Sequence, residues 1–464
     1  MTIGGIIVER GRTSRGTRAD ATRGWRLTSA HTAAAVTGVL LLATAVLAGR
    51  PDLALIGIPG LLAATWATTT RPTTPLHATL RQPPGPTTPG ELAATLHLTP
   101  GPTPHDTTDI AHLRITATGH RPTHLALAAR PPGGLADDGA RHVPLRLSSV
   151  RTGPQDTFTV DVRGSRQHTW EEEPTTVGGA RRLVVPGSAP LGRLPLPNRL
   201  RGLTGPHSSR RLGDGSELRD IHPFTPGDRL RRIDWRTTAR RSPDLDTLYV
   251  RRTYATAEAT AVLVVDSRDD VGPDLRTWRG YGTLRVDEPT SLDLARHAAA
   301  SVAQALVDAG DRVGLEDLAR RRRPLPPAAG QRHLRRVVHG LALAHPTGRA
   351  AGHRVRPPQV PADAVVYLFT TLLDDAPLHL VRTWRATGHP VVVVDTLPDV
   401  HPVTENHLRI AWRITHLERT DRVAALEGEG VPVVRWAGSE RDRAAARFEA
   451  LARAARRHVP GRQP

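Results

Sequence analysis

The chain has 464 residues and carries 63 basic against 45 acidic side chains, a net charge of +18, with no cysteine and, on inspection, no lysine. At roughly 100 to 200 residues per domain this length points to two or three domains. Without lysine there is no Schiff-base amine and no cation for a Walker-type phosphate loop; without cysteine there are no thiol nucleophiles, thiolate metal sites or disulfides, and the redox compartment stays open. Glycine and proline, 41 each, together make about 18% of the chain, below the ~25–30% of low-complexity disordered proteins.

Residues 1–31 read as a basic tail, with Arg10, Arg12, Arg15, Arg18, Arg23 and Arg26 against Glu9 and Asp20. Two uncharged apolar stretches follow, 32–49 and 53–70, each near the lower end of the ~17–25 residues that span a bilayer core as a helix. They predict a transmembrane helical hairpin over 32–70. Basic residues precede the first stretch and follow the second, at Arg71 and Arg81. The positive-inside rule then places both termini and the soluble domains on the cytoplasmic side of the plasma membrane. A competing reading is a signal peptide with Ala43-Thr44-Ala45 as a small-residue cleavage site. Another is a buried globular hairpin, opposed by the flanking arginines and the lack of a polar face.

Proline- and threonine-rich sequence makes 71–90 a linker. Within 76–186, alternating runs at 92–98, 113–117, 125–127, 145–147 and 158–162 predict a small antiparallel β-sandwich. Residues 187–258 connect it to a region, 259–458, where strand-length apolar runs alternate with helix-length periodic segments. That alternation predicts a doubly wound α/β sheet. The run 261–265 reads as a strand buried on both faces and ends at Asp266. Thr290-Ser291-Leu292-Asp293 reads as a capping box for a helix that Gly310 ends. Strands at 313–318, 364–369, 391–394 and 431–434 and helices at 331–343, 377–387, 419–427 and 440–456 continue the pattern. Ligands of such sheets bind outside the carboxyl ends of the strands, where the winding reverses, so Asp266 and the loop after Phe369 are the positions of interest.

Two polar clusters could carry function. The first runs from Glu217 and Arg219 through Pro226-Gly227-Asp228 and Arg231-Arg232-Ile233-Asp234-Trp235 to Ala239-Arg240. Its guanidinium and carboxylate groups fit either a structural ion-pair network or a docking or anion-binding surface built around an aromatic anchor. The second, Asp266-Ser267-Arg268-Asp269-Asp270, offers oxygen ligands for a hard cation, against the charge of Arg268; its alternative is backbone capping at a strand-to-helix turn. No nucleophile elbow, zinc-binding helix or dinucleotide turn is present. The arginine run 320–323 reads as a solvated loop, and without a reading helix no specific nucleic-acid partner is expected.

The first cluster, in order and spacing, resembles the bacterial membrane-anchored family catalogued as number fifty-eight among the domains of unknown function. The resemblance implies a transmembrane hairpin, a β-rich domain and a von Willebrand factor A-like domain. It implies no catalytic activity and no cofactor, but an adaptor working with a MoxR-type AAA+ ATPase in protein or complex maturation. In the A-type metal pattern Asp266 matches the first position, while Arg268 and Asp270 stand where serines belong and Thr371 where many relatives carry aspartate; a metal-free site follows. Two other readings stay open: a divalent-metal hydrolase using Asp266, Asp269 and Asp270, and an arginine-rich binder of anionic lipid or nucleic acid through the basic tail.

Overall fold

Thr28 starts an apolar helix, Ser29–Ala48: its Oγ1 accepts from the His31 amide at 3.3 Å, and Gly49 ends the helix in the left-handed conformation. Pro51, pre-set for a first helical position, opens a second helix, Pro51–Thr69. The two helices pack where glycines remove the side chains between them. A Cβ on Gly38 would lie 2.9 Å from the Gly57 carbonyl oxygen, and one on Gly57 2.8 Å from that of Gly38. Ser29–Ala48 is long and apolar enough to cross a membrane; Pro51–Trp66 is a shorter apolar helix.

The computed structural model describes residues 24–69, 71–82, 91–99, 108–117, 120–129, 140–167, 169–179, 181–197, 200, 205–278, 285, 287–319, 323–346, 356–438 and 440–457. The basic tail before residue 24, part of the linker and residues 320–322 of the arginine run lie outside them. The chain divides into two compact units, Met1–Ser149 with Gln155–Arg182, and Val150–Pro154 with Leu183–Pro464.

In the first unit two antiparallel sheets share one core. Glu91–Thr99 alternates strictly between half-buried and buried positions, so Leu92, Ala94, Leu96 and Leu98 face inward, as the period of two requires. They meet Ala111, Leu113, Phe158, Val160 and Val162 of the other sheet. Trp25–Leu27, which the sequence reading placed in the tail, is a strand paired with Trp170–Glu172. Three alternating residues before a helix carry too little pattern to be read alone.

The second unit holds the α/β sheet. Its strands are β1 (Thr260–Val265), β2 (Arg312–Asp317), β3 (Leu325–Ala328), β4 (Val365–Thr370), β5 (Val391–Asp395) and β6 (Val433–Arg435), in the spatial order β3-β2-β1-β4-β5-β6. All neighbours are parallel except the edge strand β3, which pairs antiparallel with β2. Helices α1 (Ser291–Asp308), α2 (Gln331–Leu343) and α5 (Glu440–Arg457) pack on the face presented by Ala261, Leu263 and Val265. On the opposite face, presented by Val262 and Val264, lie α3 (Ala376–Ala386) and α4 (Asn406–Gly428). The winding therefore reverses between β1 and β4. The capping box is formed: Thr290 and Asp293 exchange side-chain and backbone hydrogen bonds at the start of α1.

Three features differ from the sequence reading. Strand β3 was not anticipated. The connecting segment contains a long bulged ribbon, His207–Pro223 paired with Tyr249–Ala257, whose polar composition hides its strands. Helix α4 begins at Asn406 rather than 419, because its inward face carries Arg419 while Ile410, Ile414 and Leu417 point to solvent, which inverts the usual apolar signal.

Candidate functional site

The switch point between β1 and β4 is filled by an arginine. Arg268 Nε and Nη2 each donate to an Asp266 carboxylate oxygen at 2.8 Å. Its Nη1 and Nη2 donate to Asp374 at 2.8 and 3.1 Å. Thr370 Oγ1 donates to Asp266 at 2.9 Å, and Ser267 Oγ donates to Asp317 at the end of β2. Burial works against the Arg268 charge, but Asp266 and Asp374 outweigh it and hold the guanidinium more firmly protonated than an ordinary arginine. Burial, then the nearby Asp266, pushes the Asp269 carboxyl up, and burial does the same to Asp317.

Chemically, the carboxylates of Asp266 and Asp374 are both committed to fork-like charge-assisted bonds with Arg268. A metal could use them only by displacing Arg268. Among the described residues no group of three or more His, Asp or Glu is arranged to hold one. The threonine on Asp266 is Thr370; Thr371 instead offers its carbonyl to Arg419 Nε at 2.9 Å. Asp374 and Thr370 were missed by sequence reasoning, although an Asp-Asp pair closely following a buried strand was a readable signal.

Asp270 belongs to a second network, at the start of α1. It lies 3.5 Å from Arg151 and accepts from the Leu292 amide at 3.4 Å. Asp293 takes Thr152 N and Oγ1, both at 2.7 Å, with Arg151 and Arg296 beside it. Burial, then Asp293, raises the Asp270 carboxyl; burial lowers the Arg296 guanidinium. This desolvated cluster fastens residues 150–154 to the helix terminus, and Asp270 does not join Asp266 in one ligand set.

The carboxyl rim is latched by α4. Arg419 pairs with Asp395 at the end of β5, and Arg422 holds Asp375 at 2.6 Å and the Leu373 carbonyl at 3.1 Å. Ahead of these contacts, Trp412 packs edge-on against Trp278 with centroids 5.5 Å apart, and Arg276 Nε donates to Glu405 at 2.7 Å.

Most of the cluster from Glu217 to Arg240 builds local structure. Asp228 N donates to Thr225 O at 3.0 Å across Pro226-Gly227, with Gly227 at φ 104, the arrangement of a type II turn. The Asp228 carboxylate takes Thr225 N and Oγ1, and these bonds hold it below the usual carboxylate range. Asp234 caps the helix Trp235–Arg241 through Thr237 N at 2.9 Å, which lowers its carboxyl likewise. Ile233 bridges Val250. Arg229, Arg231 and Arg232 gather around Asp214, and Arg219 pairs with Asp220. Glu217, Ala239 and Arg240 are exposed, as is Trp235 at 62%. No hydrogen bond or ion pair among the described residues links this cluster to Arg268.

An open α/β sheet with helices on both faces and an arginine sealed into its switch point defines a mixed α/β domain with a closed crevice. The family model described as "Protein of unknown function DUF58" matches residues 220–403. The match takes in the Pro-Gly-Asp turn, the capped helix and β1 through β5. Comparisons with curated proteins and with solved structures gave no match.

Proposed function

We propose that this is a membrane-anchored, non-enzymatic adaptor whose von Willebrand factor A-like sheet docks a protein partner, a MoxR-type AAA+ ATPase, at its carboxyl edge. The anchor is a hairpin of the two N-terminal helices, with the soluble domains in the cytoplasm. The partner comes from the family resemblance, and one observation carries the docking surface. Arg419 already meets Asp395 and Thr371 at the strand ends. Residues 406–418 therefore run on past the edge for about 20 Å at 1.5 Å per residue. Along them Ile410, Ile414 and Leu417 are 53%, 54% and 56% exposed, spaced to form one stripe. A contiguous apolar strip on a charged protein marks a contact surface, while the Arg268 plug argues against a metal-dependent reaction in the crevice.

The test is copurification of the intact protein with the ATPase, comparing wild type with Ile410→Asp/Ile414→Asp and with Trp235→Ala. The Ile double variant should lose the ATPase while remaining folded. Recovery of no ATPase with wild type, or unchanged recovery with the Ile variant, overturns the reading. A reporter active only in the cytoplasm, fused after Pro464, checks the orientation; silence there would exclude a cytosolic ATP-driven partner.

A further inference from the structure

A second feature of the carboxyl edge has no part in that reading. Between α2, β3 and the end of β2 lies a cavity of about 740 Å³, within the range of small-ligand sites. Its rim carries Arg323, Arg332, Arg335 and Arg336, and its wall includes Leu315, Leu325 and Asp317. The helical spacing of Arg332, Arg335, Arg336 and His339 puts them on one face of α2, opposite the buried Leu334, Val337 and Leu341. None of the four arginines makes an ion pair or side-chain hydrogen bond with another described residue. Unpaired arginines occur elsewhere on this basic surface; here several converge on one apolar-walled hollow.

We propose that this cavity binds a nucleoside polyphosphate, with its phosphates on the arginine rim and its sugar and base against Asp317, Leu315 and Leu325. Guanidinium forks match phosphate oxygens in pairs, and the leucines offer a flat body a dry wall. Asp317 repels phosphate but accepts from hydroxyl or amino groups, which favours a ligand with anionic and donor ends. Its Oδ1 already takes Ser267 Oγ and the Ala319 amide, and its Oδ2 takes no hydrogen bond from another described residue. Ser267 adjoins both Asp266 and Arg268 in sequence, so the occupied cavity would touch the sealed switch point through one side chain.

Isothermal titration of the full chain in detergent, at physiological ionic strength and without magnesium, uses ATP, ADP, adenosine and tripolyphosphate as probes. ATP should bind, adenosine should not, and tripolyphosphate should bind at least about tenfold more weakly than ATP. Arg332→Ala/Arg336→Ala, and separately Arg323→Ala, should weaken ATP about tenfold or more, a loss of about 1.4 kcal/mol. Arg447→Ala/Arg453→Ala, an equal charge change on exposed positions of α5, should leave it unchanged. Absence of ATP binding overturns the proposal. So does equal loss in the α5 variant, which means diffuse charge attraction, and so does tripolyphosphate binding as tightly as ATP, which removes the nucleoside.

Discussion

Arg268 holds Asp374 in a two-pronged fork, Nη1 to Oδ2 at 2.8 Å and Nη2 to Oδ1 at 3.1 Å, across 106 residues of sequence. The same guanidinium grips Asp266, so the loops after β1 and β4 are tied together by one side chain where an open sheet ordinarily admits its ligand. Removing Arg268 leaves the nearly buried Asp266 without its counter-charge. Breaking a buried pair costs about 3–5 kcal/mol, and the partial exposure of Asp374 reduces this to about 2–3 kcal/mol for Arg268→Ala, read by urea denaturation. Arg268→Lys should recover only part of it, because a point charge cannot make both forks. A full recovery with lysine would show that charge alone matters here.

Gly227 adopts φ 104 in the Pro-Gly-Asp turn, a conformation that costs an L-residue about 1 kcal/mol or more. Gly227→Ala should therefore destabilise the protein although a Cβ there would meet open space. Asp234→Ala should raise hydrogen exchange at the Thr237 amide, which the carboxylate caps, while Asp234→Asn should keep it protected. Unchanged exchange in the alanine variant would show that the turn, not the cap, holds this helix.

His297 on α1 is held neutral: burial, then the neighbouring Arg441, lowers its pKa from 6.5 to about 4. Its Nδ1 accepts from Trp436 Nε1 at 3.2 Å, which requires that nitrogen unprotonated. A folded-state pKa below the unfolded one gives stability that is complete above about pH 6.5 and is lost as the pH falls toward 4. His297→Gln should flatten that part of the stability–pH curve. Asp269, Asp270 and Asp317, whose carboxyls are raised, act in the opposite sense in both proteins, so the difference curve isolates His297. A difference curve that is flat between pH 6.5 and 4 would contradict the assignment.

The contact of Gly38 with Gly57 leaves no room for a side chain. Gly57→Leu should separate the N-terminal helices and lower the melting temperature of the detergent-solubilised protein. Ala43→Leu, on an exposed position of the first helix, should not. Equal melting of both variants would mean that these helices do not depend on close backbone packing.

What the sequence determines by itself is what neighbouring residues decide. The capping box at Thr290 and Asp293, the Pro-Gly turn, the strand ending at Asp266 and the two apolar N-terminal stretches all rest on interactions within a few residues or on one element's period. The motif that carries the family resemblance is local for the same reason: Asp228 and Asp234 bond to Thr225 and Thr237, each three residues away. The tertiary structure alone decides which charges meet. Asp374 reaches Arg268, Asp270 turns away from Asp266 toward Asp293, Trp25–Leu27 joins a distant sheet, and α4 turns Ile410, Ile414 and Leu417 outward. A carboxylate looks the same in sequence whether it caps, pairs or stands free, and only packing fixes which guanidinium shares its burial.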